Sequence, residues 1–187
     1  MFSAHNRANL DIKLFNHASL KACTDCSGSK CCGAISYGGI IEPPFLTAFD
    51  ISQIKEGLGL QPDEFSDLRK NPNTGNHVRF LKTNPDGGCF YLDSGRCKIH
   101  DFRPVDCRLF PMDIRKLEGD IKWVIYNYQH CELTESDINL LKEQMPPAIK
   151  ILGQELEDYA TVPTPGMMEM QYKVIAPVDT SRQRVTA

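Results

Sequence analysis

Between Leu10 and Leu20 apolar residues recur at helical spacing, which predicts a short amphipathic helix. From Cys23 to Gly39 that pattern stops. The segment CTDCSGSKCCGAISYGG is punctuated by Gly and Ser and reads as a loop. Ile40 and Ile41 predict the start of a strand that Pro43 and Pro44 stop, and Thr47 with Asp50 forms a capping-box signature for a helix to about Leu58. A further helix is expected near Pro62, a residue suited to a first helical turn. Residues 78–92, VRFLKTNPDGGCFYL, set two apolar runs around NPDGG and predict a β-hairpin, and Asp93-Ser94-Gly95 predicts a second turn before Cys97.

Residues 121–128, IKWVIYNY, are β-branched and aromatic and predict a strand running into His130-Cys131. Thr134 is placed to cap a helix over 135–145, which Pro146-Pro147 should interrupt before an amphipathic segment over 148–160. Residues 161–187 carry Pro163, Pro165 and Gly166, end in polar residues, and read as an extended tail adding little to the core. The fold class expected is α+β: a small cysteine-rich domain over 1–160 with a β-hairpin, loops around a metal and packed helices. Its cysteine block covers 20–131, its C-terminal helices 134–160.

A chain of 187 residues with 41% hydrophobic and 24% charged residues can bury one core, so bound metal need not be its only source of stability. A net charge of -3 argues against a nucleic-acid partner. Residues 1–22 contain no apolar stretch of the kind a signal peptide needs, and no run of about 18 apolar residues suits a membrane span. The expected setting is the reducing cytoplasm, where clustered cysteines are metal ligands or redox thiols rather than disulfides.

The eight cysteines form two groups: Cys23, Cys26, Cys31 and Cys32, then Cys89, Cys97, Cys107 and Cys131. A C-x2-C pair puts two thiolates on one tight turn, where both can reach one ion or neighbouring irons of one cluster. Adjacent side chains tend to diverge, so Cys31 and Cys32 are expected to serve separate sites or to leave one thiol outside. Soft thiolates select zinc or iron–sulfur clusters over magnesium and calcium. Structural zinc favours two paired knuckles, and only the first group has that form, so the wide spacing of the second favours an iron–sulfur cluster, 4Fe-4S, with zinc as the alternative.

Around these cysteines, His100 and His130 are candidate ligands or supports, read first as ordinary surface or core histidines. Arg103 and Arg108 flank Cys107 in RPVDCRLFP and are candidate cofactor- or anion-binding residues. Arg108, next to Cys107, is expected to tune the charge of the centre. Arg103 is expected to brace the turn or to pair with Asp101 or Asp106. Met167, Met168 and Met170 read as tail contacts. No GxxxxGK[ST], HExxH, GxSxG or GxGxxG motif is present, so no reaction is assigned.

CTDCSGSKCC followed by GGCFYLDSGRCKIHDFRPVDCRLFP resembles the YkgJ-type cysteine-cluster family of zinc- or iron-chelating domains over roughly residues 20–131. The resemblance places all eight cysteines on the family's cysteine positions, and Arg103, Pro104, Arg108 and Pro111 on its RP-and-FP block. It implies metal binding. Some members resemble flagellin lysine N-methylases, but no glycine-rich methyl-donor motif is found here. The functions expected are an iron–sulfur protein in redox, sulfur-transfer or modification chemistry, or a zinc-stabilised interaction module without turnover, with redox sensing by free thiols as a third. Metal ions are the expected partners, with a partner protein or small anionic substrate beside them.

Overall fold

The structure is a computed structural model describing residues 20, 30–33, 42–128, 131–164 and 170–179. The expected strand start at Ile40-Ile41, Cys23, Cys26 and His130 lie outside the described residues, as does the 10–20 helix except for Leu20. Strand β1 (Phe45–Leu46) leads through Thr47 into helix α1 (Ala48–Leu58). Thr47 and Asp50 form the capping box read from the sequence, and Gly59 closes the helix in the left-handed region at φ 70°. Pro62 opens a single turn, α2 (Pro62–Phe65), and strands β2 (Ser66–Lys70) and β3 (His77–Leu81) follow. Strand β3 is central in an antiparallel sheet of order β1-β3-β2, with Phe45 opposite Phe80 and Ser66 opposite Leu81.

The run after β3 is not a long hairpin. Thr83 bridges Cys89 across the NPDGG turn, and the chain then forms a second hairpin of β4 (Leu92–Asp93) and β5 (Arg96–Cys97). Ser94 and Gly95 both have positive φ, 49° and 77°, the form whose twist matches a two-residue hairpin. Helix α3 (Val105–Leu109) carries Cys107 and runs into β6 (Met112–Leu117), which pairs with β7 (Asp120–Tyr126) across a second positive-φ turn at Glu118-Gly119.

Helices α4 (Glu135–Glu143), α5 (Met145–Leu152) and α6 (Leu156–Thr161) complete the described helices. Thr134 caps α4 with Asp137, as expected. Pro146 and Pro147 do separate two helices, but they stand inside the first turn of α5, where an N–H donor has no intrahelical acceptor to lose, so that helix begins at Met145 rather than at residue 148.

The segment expected as a loose tail contains strand β8 (Tyr172–Pro177), which pairs with β7 from Tyr126 opposite Tyr172 to Lys122 opposite Pro177, with a bulge at Trp123/Val124. Ile175 and Val178 pack against the main core, which centres on Leu109, Met112, Ile114, Trp123 and Leu152. Burying each such side chain contributes roughly 1.5–3 kcal/mol. A smaller core, built on Leu46, Ile54, Phe65, Leu81, Tyr91 and Ile99, has Cys89 and Cys97 packed against it. A chain ending at Thr164 would leave the edge of β7 away from β6 unpaired, at about 0.5–1.5 kcal/mol for each lost hydrogen bond. It should unfold at lower urea, with a loss on the order of 3 kcal/mol. An unchanged midpoint would contradict the pairing.

Candidate metal centre

Three segments bring the described thiols together. Lys30–Cys32 forms a 3-10 turn, and the Cys32 carbonyl accepts from the Cys89 N–H at 2.9 Å, which ties the first cysteine group to the second. That turn brings the sulfurs of Cys31 and Cys32 to 3.9 Å, although adjacent side chains are expected to diverge. A tetrahedral ion with metal–sulfur bonds of about 2.3 Å spaces its sulfurs about 3.8 Å apart, so this pair has the separation one metal requires. Cys89 is held by the NPDGG turn, where the Asn84 N–H donates to the Gly88 carbonyl at 2.8 Å and the Gly88 N–H to Asp86 Oδ1 at 2.9 Å. Cys97 stands in β5 opposite Leu92, and Cys107 lies within α3.

The thiols act on one another electrically. Cys32 shares hydrogen bonds with Cys31 and Cys89; these bonds push its own pKa up and those of its two neighbours down, Cys89 to about 7. Burial raises Cys97, and raises Cys107 further, with the charges of Cys31, Cys89 and Cys97 adding to the rise in Cys107. Five thiols this close cannot all ionise, so without metal the site keeps protons that a cation would displace. Cys131 follows β7, its N–H donating to the Tyr128 carbonyl at 2.9 Å. Among the described residues no three His, Cys, Asp or Glu side chains converge as a ready-made metal site. The donor set nevertheless fits a thiophilic metal: clustered sulfurs, one pair at ligand spacing.

Helix α3 is positioned by buried carboxylates. Asp50 Oδ2 accepts from the Thr47 N–H at 2.9 Å and the Thr47 hydroxyl at 2.7 Å, while its Oδ1 accepts from the Val105 N–H at 2.9 Å. One side chain thus serves the N-terminal ends of α1 and α3. Asp106 is engaged on its other side: Oδ2 accepts from the Phe45 N–H at 2.9 Å and Oδ1 from the Tyr159 hydroxyl at 2.8 Å. It is therefore not the partner of Arg103 that the sequence suggested. Burial pushes the Asp106 carboxyl up to about 7, with Asp113 adding to the rise. Sequence reading found Asp50 as a cap but missed its bond to α3, because the partner is 55 residues away.

Arg108 Nε donates to the Arg103 carbonyl at 2.8 Å and its Nη2 to the Asp101 carbonyl at 3.0 Å, so the bracing expected of Arg103 is made by Arg108. Arg103 Nε is buried and finds no hydrogen-bond partner among the described residues. His100 is half exposed, with Nδ1 3.5 Å from Asp101 Oδ1, which matches its reading as a surface histidine.

The sequence of residues 22–139 matches the CxxCxxCC family, whose description reads "Putative zinc- or iron-chelating domain". The chain belongs to this family. No curated protein and no solved structure matches it. The CxxCxxCC match takes in both cysteine groups, α3 and the start of α4, and leaves α5, α6 and β8 outside. No helix among the described residues is long and apolar enough to cross a membrane.

Burial pushes Asp50 from 3.8 up to about 6, against the pull of its three donors. The folded protein therefore binds this proton more tightly than the unfolded chain. The stabilisation is fully present below pH about 4 and is lost as the pH rises to about 6, by at most roughly 3 kcal/mol. In metal-free protein, Asp50→Asn should flatten this part of the stability profile, measured by urea unfolding from pH 4 to 7. A variant with the parent's slope would show that Asp50 does not titrate there.

Proposed function

We propose that this CxxCxxCC domain holds an iron–sulfur cluster, 4Fe-4S, on thiolates of its two cysteine groups. The carrying observation is that five described thiols from three separate segments lie within reach of one another's charge, a donor set drawn from widely spaced parts of the chain, as the four cysteines of an iron–sulfur cluster often are. Cys31, Cys32, Cys89, Cys97 and Cys107 would supply ligands. Cys23, Cys26 and Cys131 would complete the set. When bound, such a cluster supplies a one-electron couple or a Lewis-acidic iron. The chain's own part would be to gather the sulfurs, all but Cys31 half-buried among the described ones, with Arg103 and Arg108 on the segment that carries Cys107. Redox, sulfur-transfer or modification chemistry in the cytoplasm suits that arrangement, and a small anion is the substrate class the arginines favour.

Zinc in the same thiolates, stabilising an interaction module without turnover, is the second reading, favoured by the 3.9 Å spacing of Cys31 and Cys32. Anaerobic purification followed by iron, sulfide and zinc analysis separates the two. The cluster reading expects brown protein with iron and sulfide in equal amounts. Zinc without sulfide would replace it with the zinc module. In either case Cys32→Ser and Cys107→Ser, which remove a soft donor at nearly constant volume, should sharply lower the metal content. Full metal in both variants would place the site elsewhere.

A further inference from the structure

We propose that Cys31 and Cys32 are a reversible modification site: a peroxide oxidises the pair to a disulfide, which withdraws two donors from the metal centre and loosens the tie between the two cysteine groups. The effect on metal rests on the thiolate centre proposed above; the disulfide itself does not. Within the turn Lys30–Cys32 the two sulfurs already stand 3.9 Å apart. Cys31 is exposed, whereas the other described cysteines are half-buried. An oxidant in solution therefore meets Cys31 first, with the resolving thiol of Cys32 beside it.

In the first step the Cys31 sulfur attacks one peroxide oxygen, the O–O bond breaks, and the leaving oxygen carries off the thiol proton, giving a sulfenic acid. The Cys32 sulfur then attacks the Cys31 sulfur, the S–O bond breaks, and hydroxide leaves with the Cys32 proton as water. The two thiols lose two electrons and two protons, and hydrogen peroxide becomes two waters. Consecutive Cα atoms are about 3.8 Å apart, closer than the roughly 4.4–6.8 Å that an ordinary disulfide spans, so a bond between neighbours is strained. Strained disulfides are readily reduced again, which suits a switch and not a permanent staple. Turning Cys32 to meet Cys31 also moves its own carbonyl, the acceptor of the Cys89 N–H at 2.9 Å. Oxidation thus strains the backbone bond that ties the first cysteine group to the second.

The test treats reduced, metal-free full-length protein with a slight excess of hydrogen peroxide, followed by alkylation, digestion with trypsin and mass spectrometry. Cleavage after Lys30 and Lys55 releases residues 31–55, whose only cysteines are Cys31 and Cys32. This peptide should appear unalkylated and lighter by two hydrogens, and dithiothreitol given before alkylation should restore two alkylated thiols. A peptide joined to Cys89 or another cysteine, or a sulfinic acid at Cys31 with Cys32 still free, would overturn the pairing. Zinc affinity of the same samples, by competition with a chromophoric chelator, tests the consequence: the oxidised protein should bind zinc about tenfold more weakly or worse, and recover on reduction. If the reduced protein binds no zinc, the thiolate centre fails, while the peptide mass still decides the disulfide. If the oxidised protein carries the disulfide and binds zinc as tightly as the reduced one, the pair does not control the metal and the switch falls.

Discussion

The position of Cys107 depends on one buried carboxylate that two helices share. Asp50 closes the capping box of α1 and takes the Val105 N–H at the head of α3, so the two helix starts are fixed relative to each other. Asp106, the next residue of that short helix, then ties it to β1 and α6 through Phe45 and Tyr159. A five-residue helix has little stability of its own in water. These tertiary bonds hold α3 where its thiol meets those of the other two segments. Buried acids are a costly means of doing so, because each is desolvated, and the cost is recovered only while every donor stays in place.

The thiols present the opposite problem. Gathered without metal, they repel one another's ionised forms: burial pushes the Cys97 and Cys107 thiols up, and the bonds Cys32 shares with Cys31 and Cys89 push it up and those two down. A metal reverses the balance, replacing shared protons with a positive centre that every thiolate favours. The loops around Cys31, Cys89 and Cys97 are held by turns and a two-strand hairpin, whereas α3 is held by the core. The site is thus rigid on one side and built of short loops on the other, and metal-driven adjustment belongs on the loop side.

Much of the local structure could be read from the sequence, because its causes are local. The capping boxes at Thr47 and Thr134, the turn at Ser94-Gly95 and the aromatic strand at 121–126 each carry their signal within a few residues. The longer-range features could not. Strand β6 has only six residues, Met112–Leu117, and follows the cysteine helix directly, so it was hidden behind the RPVDCRLFP motif. Strand β8 looks like a tail because its residues are mostly exposed; only the edge of β7 makes it a strand. In the site, the thiophilic donor set followed from residue type. The approach of Cys31 to Cys32 depends on a 3-10 turn, and the bracing of the RPVDC turn by Arg108 depends on which carbonyls lie within its reach. Neither is written in spacing.

X-ray absorption at the edge of whichever metal the purified protein carries tests the central claim most directly, since it reads the atoms bound to that metal. The account predicts a shell of sulfur alone at about 2.3 Å for zinc or for cluster iron, with a further iron–iron distance if a cluster is present. A shell dominated by nitrogen or oxygen would contradict it, because the sulfurs gathered around α3 would then not be what holds the metal.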